Sequence, residues 1–288
     1  MIQKQSGETD MGYATMVVQA EADDDGKGRV ELATGLALQF NAVLVGVAAR
    51  DLLPLMTVPG AEPAFGALLD AEEQEIRAGL DAAERQFRAI AGASGERVVW
   101  RSMIDDPAAM LAREARTADL VVVGRRPEGA IASRSWHADP GDVLMRAGRP
   151  ILVVPPGLSH LDTKHVVVAW KDSLEARRAV VDALPFLKQA VSVLVLQVCH
   201  TAAEQALAAV VVKDVAEYLA RHGVSATGEA RLLREASVSA ELLLAAEQQR
   251  ADLVVAGGYA HSRLQEWVFG GLTSTLLGHF PKCCLLSH

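Results

Sequence analysis

No run of 18 consecutive apolar residues occurs in the 288-residue chain, so no segment reads as a membrane-spanning helix. The opening MIQKQSGETD lacks the apolar core of a secretory leader, and a cytoplasmic protein with no membrane partner is expected. Cysteine is scarce. Cys199, Cys283 and Cys284 are an odd, sparse set that does not describe a disulfide framework. Aromatic residues make up only 5% against 50% hydrophobic residues. The interior must therefore be built from Val, Leu, Ile and Ala, the mix of helices packed on a buried parallel sheet. There is no dense basic run, and the formal net charge is −8. A nucleic-acid partner is not expected, because neutralising phosphates takes clustered Lys and Arg. The acidity is uneven: residues 1–159 carry 16 basic and 23 acidic residues, residues 160–288 carry 12 and 13. The second half is the better host for an anionic ligand.

What the sequence does have is a repeat of itself. Ala118-Asp119-Leu120-Val121-Val122-Val123-Gly124 returns 133 residues later as Ala251-Asp252-Leu253-Val254-Val255-Ala256-Gly257. The same offset pairs Asp106 with Ser239, both read as helix N-caps, and Ile151–Val154 with Cys284–Ser287. Each half alternates apolar strand patterns with helical ones. In the second half Leu207, Val210, Val211, Val215, Tyr218 and Leu219 read as the buried stripe of one helix, ended by Gly223. Alternating strands and helices predict an α/β fold of two tandem Rossmann-like domains, each a parallel sheet flanked by helices. The expected boundaries are residues 1–157 and 163–288, joined through Pro155-Pro156-Gly157.

In open α/β sheets ligands sit beyond the carboxyl ends of the strands. The segment to inspect follows Leu253–Ala256 and runs from Gly257 to Ser274. Gly257 and Gly258 are expected to let a ligand approach the backbone. Gly270 and Gly271 precede a helix, whose free amides and dipole favour an anion, and Thr273 adds a hydroxyl. His261 and Arg263 supply positive charge, with exposed loop residues as the plainer alternative.

Here the sequence resembles the universal stress proteins. That family's signature is Gly, two residues, Gly, nine residues, then Gly and Ser or Thr. Gly257, Ala260, Gly270 and Gly271 fall on its four key positions, two matching and two departing. Tyr259-Ala260-His261-Ser262-Arg263-Leu264-Gln265-Glu266, Phe269-Gly270-Gly271 and Val168-Ala169-Trp170-Lys171-Asp172-Ser173 are similar to segments of tandem members. The resemblance implies an adenine nucleotide alpha hydrolase-like fold and adenine-nucleotide binding, ATP with magnesium, in the second domain alone. It implies contacts near Ala169, at Lys171, where nucleotide-binding members carry Asp, and at Val198. It also implies pairing of the final strands, Ile151–Val154 beside Cys283–Leu286, as a pseudo-dimer within one chain; a homodimer of chains is a further expectation. In the first half Pro127 stands opposite Ala260 and His137-Ala138 opposite Gly270-Gly271, so no nucleotide is expected there. Arg125, Arg126, Arg134 and His137 could hold another anion.

Rival chemistries are weaker. Adjacent strand residues point to opposite faces, so Cys283 and Cys284 diverge, and no metal site is expected from them. Asp23-Asp24-Asp25 reads as a solvated turn before the first helix, with a divalent ion there as the lesser alternative. No nucleophile–base ordering stands out, so the expected function is a stress-response protein with nucleotide binding, at most a slow ATPase. The alternative is a scaffold or signalling module that binds no nucleotide and acts through protein contacts or another small ligand.

Overall fold

The computed structural model describes residues 12–52, 62–92, 97–125, 137–258 and 271–288. The first half opens with β1 (Thr15–Gln19), whose Met16, Val17 and Val18 are buried. Asp23 caps α1 (Asp24–Phe40) by accepting from the Gly26 N–H at 2.6 Å. Then come β2 (Val43–Arg50), α2 (Glu62–Ala91) and β3 (Val98–Ile104). Asp106 caps α3 (Pro107–Glu114), with Pro107 in the first helical position, where its missing N–H costs nothing. A short 3₁₀ turn, β4 (Leu120–Gly124), α4 (Pro140–Ala147) and β5 (Ile151–Val154) complete this half.

The second half repeats the plan. It runs β6 (His165–Ala169), α5 (Leu174–Asp182), α6 (Leu184–Leu187) and β7 (Ser192–Cys199). It continues through α7 (Ala202–Arg221), β8 (Ala226–Leu232), α8 (Val238–Gln248), β9 (Leu253–Gly257), α9 (Gly271–Gly278) and β10 (Cys283–Ser287). The helical stretch after β6 is two pieces, because Pro185 in the first turn of α6 lacks the N–H that would continue α5.

All ten strands lie in one sheet, in the order β3-β2-β1-β4-β5-β10-β9-β6-β7-β8. Every neighbouring pair is parallel except β5 and β10, which are antiparallel. The order therefore reads the same from either end. Across the seam Leu152 pairs with Leu285, its own counterpart at the 133-residue offset, flanked by Val153–Cys284 and Ile151–Leu286. The pseudo-twofold axis thus passes between the two leucines. Each half would otherwise leave an apolar edge strand open, and pairing the two edges removes both.

Side chains alternate between two packed layers, as strand geometry requires. Val166, Val168, Cys283 and Leu285 join one cluster with α1 and α5. Val167, Val254, Cys284 and Leu286 join the other with α3, α8 and α9. The stripe expected of α7 is partly wrong. Leu207 and Val210 are 73% and 62% exposed, while Ala208, Val212, Ala216 and Leu219 form the buried face. The cap of α8 is Ser237, accepting from the Ala240 N–H at 3.1 Å, and not Ser239.

Candidate functional site

The second half opens a cleft of about 800 Å³ at the carboxyl ends of β6, β7 and β9. Its walls are the starts of helices. Ser173 leads α5, Ser237 to Ser239 lead α8, and Gly271 to Thr273 begin α9. A helix start carries unpaired amides and the positive end of the helix dipole, so these walls suit an anion. Lys171 adds an exposed cation at the rim. Glu204 contributes a carboxylate, which accepts the His200 N–H at 2.8 Å while Thr201 caps α7.

Two residues of the lining carry a buried side-chain atom with no hydrogen-bond partner among the described residues, Trp170 at Nε1 and Gln197 at Oε1. They follow directly on the paired residues Ala169 and Leu196, and Trp170 packs into the layer of Val166 and Val168, on the sheet face opposite Ala169 and Val198.

Six of the sequence-derived site residues line this cleft together: Ala169, Lys171, Val198, Gly257, Gly271 and Thr273. Gly271 has open space where a side chain would begin. Gly258 is elsewhere, which corrects the expectation that it faces a ligand. A Cβ there would meet Leu144 Cδ2 of α4 at 2.6 Å, so this glycine serves packing between the halves. Its N–H donates to Ser287 O at 2.9 Å in the same seam. Gly257 does line the cleft, but its own Cβ would strike the backbone of α5 at Ala176 N, 2.5 Å away. Close approach of strand and helix therefore requires glycine with or without a ligand. Ala260, His261, Arg263 and Gly270 lie outside the described residues. The lining residues Trp170, Gln197 and Ser237 escaped sequence reasoning. Trp170 and Gln197 extend the strand pattern that placed Ala169 and Val198, so their position was legible even though their unpaired atoms were not.

Among the described residues, the corresponding mouth of the first half is occupied by a polar side-chain network. Asp23 and Ser173 each cap the helix that follows the first strand, which sets Glu21 opposite Lys171 and Arg29 opposite Ala179. Arg29 is buried against Gly124 and donates to Gln19 O at 2.7 Å and Glu21 Oε2 at 2.6 Å. Gln19 Nε2 and His137 Nδ1 meet Glu21 Oε1 at 2.8 and 2.7 Å. Burial pushes the Glu21 carboxyl up, but Arg29 and His137 outweigh it and hold its pKa below the ordinary value. His137 is raised in turn, chiefly by its hydrogen bond to Glu21. Among the described residues a space of about 10 Å³ lies at the strand ends beside this network. His137, expected as part of an anion site, is thus bound to a carboxylate. Arg126, Pro127 and Arg134 lie outside the described residues.

Among the described residues no helix is long and apolar enough to cross a membrane. No curated protein matches the chain. A universal stress protein from Archaeoglobus fulgidus shares the fold, with a TM-score of 0.68 at 13% identity over 95% of each chain. A putative universal stress protein from Pseudomonas aeruginosa has a TM-score of 0.59 at 14% identity, over 97% of this chain and 95% of its own. These likenesses span both halves and establish the doubled fold. Residues 162–288 match the model of the universal stress protein family.

Proposed function

We propose that the second half binds an adenine nucleotide, ATP with magnesium foremost, and that the protein serves the stress response through that binding. The observation that carries this reading is the cleft of about 800 Å³ at the sheet mouth of the second half, walled by the starts of three helices. That volume falls within the ordinary size of small-ligand sites, about 300–1,000 Å³. In this reading adenine lies by the backbone of Val198, and the phosphates reach the first turn of α9 at Gly271–Thr273 and the ammonium of Lys171. Magnesium would travel on the phosphates, since it keeps most of its own waters. Glu204 is committed to the start of α7, and turnover in this reading is slow at most.

Equilibrium dialysis with labelled ATP and magnesium tests this. Saturable binding below millimolar concentration is expected, weakened about ten-fold by Lys171→Glu, as replacing a cation with an anion beside the phosphates predicts. Absence of saturable binding up to millimolar ATP would end the proposal. A second reading, a scaffold that binds no nucleotide, is favoured by Gly257 and Gly258, both accounted for by internal packing. It predicts that no nucleotide binds and that a partner protein does.

A further inference from the structure

We propose that Glu21, Asp23 and His137, at the mouth of the first half, form a binding site for a divalent transition-metal ion such as zinc. One donor atom from each lies within 4.8 Å of the other two. Zinc sits about 2.0–2.2 Å from nitrogen and carboxylate ligands, so in tetrahedral geometry its ligands lie about 3.4 Å from one another. His137 Nδ1 and Glu21 Oε1 are already 2.7 Å apart, and drawing the exposed Asp23 in takes about 1.4 Å at most, within the reach of a side-chain rotation.

The donors come from two places far apart in sequence. Glu21 and Asp23 follow β1, and His137 precedes α4. No motif spacing reveals them. The mix of one imidazole and two carboxylates suits zinc and its first-row neighbours better than magnesium or calcium, which take oxygen alone.

The carboxylate of Glu21 is already fixed for the task. Its side chain is 9% exposed, Arg29 holds Oε2, and Gln19 holds Oε1 on the side facing His137. Gln19 is itself fixed by the Gly124 N–H, which donates to its Oε1 at 3.1 Å. Such outer partners orient ligands at metal sites. Asp23 uses Oδ1 to cap α1 and has Oδ2 to offer. Arg29 cancels one of the two carboxylate charges, which leaves a single net negative charge among these groups. Asp24 and Asp25 on the next residues add to it. With one charge offset, the expected affinity is micromolar, short of that of a cysteine-rich structural site. A bound zinc would replace the proton between His137 Nδ1 and Glu21 Oε1 and leave a coordination position to water.

The test is calorimetric titration of zinc into the full chain after chelator treatment, beside His137→Ala and Asp23→Asn. Asparagine caps a helix about as well as aspartate, so the second variant retains the start of α1. One zinc per chain is expected, with no saturable uptake by His137→Ala and at least about ten-fold weaker uptake by Asp23→Asn. No uptake by the parent, or full affinity retained by either variant, would overturn the proposal. The latter would place zinc on another of the eight histidines.

Discussion

Cys283 and Cys284 are neighbours in β10 and enter opposite layers of the core. Burial pushes the Cys283 thiol up to about 12, and Cys284 is raised as well. A thiol kept neutral is a poor nucleophile. None of the three cysteines, all buried, is expected to react with a thiol reagent in the folded protein at pH 8, and all three are expected to react in denaturant. Rapid native labelling of Cys283 or Cys284 would contradict their placement. Arg29 presents the reverse case, a buried charge held by its partners. Arg29→Ala leaves Glu21 buried without its main cation and is expected to cost about 3–5 kcal/mol in urea unfolding. Arg29→Met with Glu21→Met should recover most of that loss. In the cleft, Gly271→Ser meets no neighbour within 4 Å and supplies the hydroxyl that the family signature places there. It is expected to tighten ATP in the dialysis measurement several-fold. At this scale the sequence was partly legible. It picked out Lys171, Val198 and Gly271, because strand ends and helix starts show as pattern breaks. It could not show that Gly258 faces Leu144, or that His137 meets Glu21, since both contacts join residues more than a hundred positions apart.

The helices show where periodicity serves and where it misleads. In α7 large apolar residues occur on more than one face, so Leu207 and Val210 were grouped with a core face that in fact runs through Ala208, Val212 and Ala216. Small alanines pack closest to the sheet and carry little hydrophobic signal in sequence. Val212→Ala is therefore expected to cost about 1 kcal/mol or more, and Val210→Ala less than about 0.5 kcal/mol, by chemical denaturation. The start of α8 makes a similar point. The repeat offset selected Ser239, two residues inside the helix, because alignment by strand does not fix the length of the preceding loop. Ser237→Ala should cost about 1 kcal/mol and Ser239→Ala distinctly less. Equal costs would contradict the observed cap. The strands were more legible than the helices, since short, fully apolar runs such as Ile151–Val154 have few other places in an α/β fold.

At the level of the whole molecule, duplication gave two similar halves that diverged at their mouths. One sheet runs through both, and the Leu152–Leu285 pair lies on the axis that relates them. The internal repeat made this doubling legible. The divergence was legible only in part, because lost glycines suggested a first half without nucleotide while the Arg29–Glu21 plug gave no sequence signal. The central claim is that only the second mouth admits a nucleotide. Native mass spectrometry of the full chain with ATP and magnesium tests it most directly. The account predicts one ATP per chain, lost when Lys171→Glu is combined with Gly271→Glu, which sets a second carboxylate where the cleft is open. Two nucleotides per chain, or one that survives that pair of changes, would contradict it.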